Sequence, residues 1–434
     1  MIFLPANQGK EMKLTGNLTA EEKRTFYYHL FYSIIDGILY GALALNEFIL
    51  LKSLKGSDYQ VGLLFEIPAV VLIFGILFNE LIRRTHNKKR FLRISAIITR
   101  APLLLLFFFP ASPDLIRPIH QYLFLLILFV YYLSSPLLLP MINLFLKNSY
   151  SHDNFGKLYG YATSLSKIFA LISTFLVGLW LDINYYSFRY IFLFLGIAGI
   201  IAVYVLTQIN YEEKVTEIKL GFFAAVGKSL GRMKAILTNN KAFLHFEIAF
   251  FLYGIAYLST SGVISLLLND VLHLNYSSLA FYKNSYNLLN IILLPFFGHV
   301  IGKIDPRKFG IYTFLAMAMF LFFLILTYYF DDYITLWNIK IYYTLVLAYI
   351  SYGVFAALMG LLWYIGSAYF AKNEEVGDYQ AIHVSLTGVR GAFAPLVGIA
   401  LYRVIGYTGV FLLGIGFLVA AMLVMYLSMK VRTL

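Results

Sequence analysis

Eight ionisable side chains stand inside stretches that are otherwise apolar: Asp36, Glu47, Glu66 and Glu247 against Arg100, Lys167, Lys283 and Arg390. Pairing opposite charges is the least costly way to keep them in a low-dielectric interior, and the numbers balance. Three kinds of chemistry suit such residues. A carboxylate can take up and release a proton, a cation can hold an anionic group, and an ion pair can open and close. A charge near the centre of a bilayer costs at least about 2.5–3.5 kcal/mol, so each one needs a partner or a use.

Asp36 lies in "SIIDGILYG", where Gly37 and Gly41 allow a neighbouring backbone to come close. Its protonation responds to burial and to any nearby cation, so alternating exposure would couple proton uptake to the movement of a second species. Lys167 lies eleven residues before Gly178 and Arg390 eight before Gly398. Three residues is nearly one helical turn, so the two cations face similar directions. Asp36 is the best internal counter-ion. If it serves one cation, the other is free for an anionic solute, and Arg390 would grip a carboxylate or phosphate through two parallel hydrogen bonds. The competing reading is that Lys167 and Arg390 brace contacts between helices. Glu66 and Lys283 each follow a tyrosine, Tyr59 or Tyr276, by seven residues, which is about 10 Å along a helix. Glu47 and Glu247 lie near helix ends, where a carboxylate reaches water.

The elements that carry these residues are set by composition. The chain has 434 residues, 60% hydrophobic and only 13% charged. So few charges cannot cover a soluble protein of this length, and a polytopic membrane protein follows. At about 20 apolar residues per crossing, twelve helices are expected near 26–51, 60–82, 91–110, 118–146, 158–181, 187–208, 243–268, 277–302, 309–330, 341–371, 380–402 and 408–429. With both termini cytoplasmic, the inside segments hold 24 of the 34 Lys and Arg and the outside loops 6. That bias fixes the orientation in a cell membrane. The net charge of +12 is thereby accounted for by loops such as "RRTHNKKRFLR" (83–93) lying on anionic lipid, without nucleic acid. There is no cysteine, so no disulfide or thiolate metal site. The polar residues 1–25 form a cytoplasmic segment without the apolar core of a signal peptide.

The polar interruption at 209–242 separates six helices (26–208) from six (243–434), the two halves expected as bundles. "FYYHLFYSIIDGILY" (26–40) overlies "FLHFEIAFFLYGIAY" (243–257) at an offset of 217, matching Phe26 with Phe243, Gly37 with Gly254 and Tyr40 with Tyr257. Two parallel repeats are one known transporter design. At the same offset Glu66 coincides with Lys283.

Over nearly its whole length the chain resembles the major facilitator superfamily, whose signature after the second helix reads roughly G-x-L-x-D-R-x-G-R-K. Here "GILFNELIRR" keeps Gly75, Leu77, Arg83 and Arg84, with Asn79 at the aspartate position and Glu80 beside it. The second half has "GHVIGKIDPRK" (298–308), with Gly302 at the acid position and Asp305 three residues on. "FGKLYGYATS" into "GLWLD" (155–182) and "GVRGAFAPLVG" (388–398) are similar as well. The resemblance implies an all-α membrane fold of two pseudo-symmetric six-helix bundles that rock about a central cavity lined by helices 1, 4, 7 and 10. Tyr32, Tyr40, Tyr257, Trp363 and Tyr364 would face that cavity, or else pack between helices. It also implies that helices 1, 2, 7 and 8 meet on the outer side, so that Glu66 and Lys283 would form a gate, or else a static bridge. Helix 3 packs peripherally in the superfamily, which makes Arg100 a structural anchor or a cation reaching for headgroups.

The function expected is secondary active transport of a small anionic or zwitterionic organic solute, coupled to protons, by a monomer in the bilayer. A proton-antiport drug exporter is the first rival, though the exporters' Gly-Pro pair is missing from helix 5. A lipid or lysolipid flippase is the second, and a non-transporting receptor would look alike. An enzyme is not expected, since no acid or histidine cluster marks a catalytic loop. No G-x-x-x-x-G-K-[ST] phosphate loop occurs. The eight histidines are scattered, so neither metal nor cofactor is expected, and His383 reads as an interhelical hydrogen bond.

Overall fold

Several helices begin where a short polar side chain caps them. Thr19 accepts the Glu22 N–H while the Glu22 carboxylate takes the Thr19 N–H, and Ser57 with Gln60 repeats the device. Asn87, Asn240 and Asp305 cap later helices through one bond each. The computed structural model describes residues 18–211, 221–301, 303–372 and 375–430.

In chain order the elements are α1 (Ala20–Leu43), α2 (Asn46–Phe48), α3 (Asp58–Ile73), α4 (Gly75–Arg84), α5 (Lys88–Leu104), α6 (Pro118–Tyr132), α7 (Ser134–Ser149), α8 (His152–Ile183) and α9 (Phe188–Leu206). There follow α10 (Phe222–Asn239), α11 (Lys241–Leu266), α12 (Tyr276–Ile301), α13 (Pro306–Tyr329), β1 (Tyr333–Leu336), β2 (Ile339–Tyr342), α14 (Tyr343–Ile365), α15 (Val376–Gly391) and α16 (Ala394–Ser428). Among the described residues, nine helical stretches are long and apolar enough to cross a membrane. None is counted over 58–84, where the helix breaks at Phe74, or over α12, whose apolar run contains Lys283, four asparagine or histidine side chains and a proline. One stretch, Asp378–Ser428, takes in two expected helices. Gly406, at φ 69°, marks the turn between them.

The helices are interrupted by one short pair of strands. β1 and β2 form an antiparallel hairpin, Tyr333 opposite Tyr342. Its turn residues Trp337 and Asn338 both have positive φ, 45° and 65°, the hand that matches the twist of paired strands. The hairpin is tied to the start of α12. Asn275 Nδ2 donates to the Asn338 carbonyl at 2.8 Å, the Lys340 N–H to Ser278 Oγ at 2.9 Å, and the Tyr342 N–H to the Tyr282 hydroxyl at 2.8 Å.

The chain forms two compact units. The first comprises residues 1–46, 75–115 and 126–219. Here α1 lies along α8 and α9, and α5 along α9. Gly37 and Gly41 permit this, since a Cβ at either would strike the carbonyl of Ser166 or Ala170. Ser173 and Thr174 donate to the carbonyls of Ile38 and Gly41 at 2.7 and 3.0 Å. The second unit comprises 47–74, 116–125 and 220–434. In it α11 lies along α16, Gly398 meeting the Ser259 carbonyl, and α3 packs on α11, α15 and α16.

Within this unit two segments repeat one local geometry. A π-helical turn, Ile49–Ser53, precedes Lys55 at φ 56° and the start of α3 at Asp58. A second, Leu267–Val271, precedes His273 at φ 46° and the start of α12 at Tyr276. The two run at an offset of 218, not 217.

Candidate functional site

Tyr276 decides where α12 meets the segment after α1. Its buried hydroxyl lies 2.7 Å from Ser53 Oγ and donates to the Phe48 carbonyl at 3.1 Å. Two helical turns further along α12, Lys283 is thereby set against Glu47. Its Nζ is 2.5 Å from Glu47 Oε1, and the ammonium also lies 5.6 Å from the centre of the Phe48 ring. Only 21% of the lysine side chain and 10% of the glutamate are accessible, so this is a largely desolvated ion pair.

The pair borders a cavity of about 160 Å³ walled by Phe65, Tyr257, Ser261, Tyr286, Tyr349 and Tyr352 among others. The Tyr257 and Tyr352 hydroxyls are 3.2 Å apart, and the Tyr286 ring meets Tyr352 edge-on with centres 4.7 Å apart. One carboxylate, one ammonium, hydroxyls and aromatic faces thus converge on a small space. A larger concavity of about 500 Å³, walled by Phe296, Phe297, Tyr312, Met319 and Ile350 among others, has no charged side chain to orient a polar solute.

Glu66 is not the partner of Lys283. It is 7% exposed, its carboxylate lies near the Leu396 N–H, and Oε1 has no hydrogen-bond partner among the described residues. Leu396 belongs to the first turn of α16, where N–H groups lack intrahelical acceptors and an anion is welcome. The offset of 218 explains the difference, since it makes Asn284 the counterpart of Glu66. One residue turns a helical side chain by about 100°. Glu47, expected to reach water, holds the lysine instead.

In the first unit Asp36 pairs with Arg100 and not with Lys167. Arg100 Nη2 lies 3.7 Å from Asp36 Oδ1, and the Tyr32 hydroxyl donates to the same oxygen at 3.3 Å. Arg100 is therefore an internal anchor and not a cation reaching for headgroups. Its side chain is 3% accessible, while that of Asp36 is 40% accessible. Gly199 of α9 makes room for it, because a Cβ there would lie 2.9 Å from Arg100 Cδ. Lys167 and Tyr40 are exposed.

Arg390 is 2% exposed, and both of its terminal nitrogens are bonded within the protein. Nη1 donates to the Phe250 carbonyl and Nη2 to Thr387 Oγ1 at 3.0 Å, with the Tyr253 ring centre 5.7 Å away. Gly254 makes the room for it, as Gly199 does for Arg100. Glu247, also expected to reach water, is 3% exposed, with Oε1 2.9 Å from His383 Nδ1. Trp363 packs edge-on against His383 at 4.4 Å, away from the cavity.

Of the loop signature, Gly75 opens α4 and Glu80 pairs with Arg84 at 2.7 Å. The side chains of Asn79, Arg83 and Tyr364, and Gly302 altogether, lie outside the described residues. Among the described residues no group of three or more His, Asp or Glu could hold a metal ion.

The sequence profile of the Major Facilitator Superfamily matches residues 29–364, and the chain belongs to that superfamily. No curated protein matches it. Similar solved structures include a mutant of the nucleoside transporter NupG, at 13% identity and a TM-score of 0.71, covering 93% of this chain and 99% of that one. A structure described for proton dependent oligopeptide transporters has 14% identity and a TM-score of 0.64, covering 95% and 100%. A bacterial homolog of the human lysosomal transporter Spinster, inward-facing and unoccupied, has 12% identity and a TM-score of 0.67, covering 95% and 98%. Such identities speak for the fold. The protein is a multi-pass membrane transporter and not an enzyme.

Proposed function

We propose that the protein is a secondary active transporter that carries a small anionic or zwitterionic organic solute across the cytoplasmic membrane by alternating access, with protons as the coupling ion. In this reading the chain crosses the bilayer twelve times, in six-helix bundles at 26–208 and 243–434. Both termini are cytoplasmic, and it works as a monomer. The observation that carries the reading is the Glu47–Lys283 pair facing a tyrosine-rich cavity. An ion pair of this kind is stable when closed and offers two charges to a solute when open.

Asp36 suits the coupling role. Its carboxylate is accessible enough to exchange a proton, while its partner Arg100 is locked in the interior. Loss of the Asp36 charge would loosen α1 from α5 and so link protonation to movement.

Flux into proteoliposomes tests the proposal, using labelled amino acids, organic acids, peptides, nucleosides, lysolipids and lipophilic cations, with and without an imposed pH gradient. A charged or zwitterionic solute should accumulate with the gradient and stop when a protonophore is added. Asp36→Asn should abolish accumulation while leaving solute exchange. Movement of lipophilic cations or lysolipids alone would replace the proposal with drug export or lipid flipping.

A further inference from the structure

We propose that the cavity beside Glu47 and Lys283 binds a small zwitterion of the α-amino-acid type, its ammonium on Glu47 and its carboxylate on Lys283. This narrows the transporter reading above and rests on it.

Charge balance makes the selection. The two groups are bonded to each other at 2.5 Å, with 10% and 21% of their side chains accessible. A ligand bearing only an anion would take Lys283 and leave Glu47 buried without a counter-charge, which is the costly way to break such a pair. A ligand bearing only a cation would strand Lys283 in the same way. A sugar or nucleoside would have to leave the pair closed and bind to what remains of a cavity of about 160 Å³. A zwitterion replaces one ion pair by two and leaves neither charge alone.

Spacing narrows the class further. Because the pair is in direct contact, a ligand with its ammonium and carboxylate on one carbon can enter after a small parting of Glu47 from Lys283. A longer ω-amino acid needs the two helices to separate more. The aromatic wall supplies the rest of the recognition. Phe48 already lies beneath one ammonium at 5.6 Å, and the faces and hydroxyls of Tyr257, Tyr286 and Tyr352 surround the space beyond. Such a wall favours a flat or aromatic body.

The test is thermal unfolding of the full chain in detergent against a matched set. The compounds are L-phenylalanine, its N-acetyl derivative (anion only), its amide (cation only), 5-aminopentanoate (the same charges, widely spaced) and a nucleoside. L-Phenylalanine should raise the unfolding midpoint saturably, and the four controls should bind at least about tenfold more weakly. Glu47→Gln and Lys283→Gln should each weaken binding by about thirtyfold or more. Should the single variants fold poorly, the swap Glu47→Lys with Lys283→Glu keeps the pair, and it should bind phenylalanine within about tenfold of the parent. Preference for the N-acetyl compound, the amide or the nucleoside would overturn the zwitterion and leave the transporter reading standing. If no compound binds here and no solute moves in proteoliposomes, both readings fall.

Discussion

A double-mutant cycle separates the ion pair seen in the fold from the one that the repeat of the sequence suggests. Lys283→Ala removes an ammonium that touches Glu47 at 2.5 Å and leaves a carboxylate only 10% accessible. Stripping one partner from a buried pair costs about 3–5 kcal/mol, and the 21% accessibility of the lysine places this case at about 3 kcal/mol. Glu47→Ala leaves the ammonium on the Phe48 ring alone, at a similar cost of about 3 kcal/mol. The double variant strands no charge and loses only contacts with the cavity wall, so it should cost about 3–4 kcal/mol in total. The difference from additivity is about 2–3 kcal/mol, the upper end for residues in contact. Thermal unfolding of the four proteins in one detergent reads this as a double variant scarcely less stable than either single. A second cycle, Glu66→Ala with Lys283→Ala, should be additive within about 0.5 kcal/mol. Additivity at Glu47 and Lys283, or coupling at Glu66 and Lys283, would refute the pairing described here.

Other expectations follow from single contacts. Asp36→Asn should destabilise by about 3 kcal/mol, because it leaves the 3% accessible Arg100 side chain without its counter-charge; Arg100→Ala, which leaves a 40% accessible carboxylate and empties the space beside Gly199, should cost less. Gly398→Ala places a methyl on the Ser259 carbonyl and should cost about 1–3 kcal/mol in unfolding experiments, whereas Gly160→Ala, with no atom within 4 Å, should be neutral or slightly stabilising. Glu247→Ala leaves His383 Nδ1 buried without its acceptor and should cost about 1–3 kcal/mol, most of it recovered by Glu247→Gln if the amide oxygen takes the same bond.

The sequence was most informative where one physical requirement dominates. Runs such as 187–208 and 309–330 are apolar because lipid surrounds them, and α9 and α13 lie there. The charges were harder to match, because partners depend on rotation about each helix. Aligning Gly37 with Gly254 sets an offset of 217, but α1 is interrupted near Ala44 and Leu45 while α11 continues unbroken into its π-turn. That difference of one residue moves Glu66 away from the face where Lys283 sits. The arginines do leave a legible signal. Gly199 and Gly254 are glycines in apolar helices because a guanidinium lies across each. A glycine without a turn or a crossing backbone to explain it asks what bulky side chain it admits.

The hairpin between α13 and α14 gives the molecule a handle. Its backbone is bonded to Asn275, Ser278 and Tyr282, so the end of the helix that carries Lys283 cannot shift without taking the hairpin along. At its tip stands Trp337, 88% exposed and one of three tryptophans in the chain. With Trp180 and Trp363 replaced by phenylalanine, the emission of that one indole becomes an optical pointer fixed to α12. It would record each excursion of the helix during a transport cycle, in real time and without a dye or a cysteine.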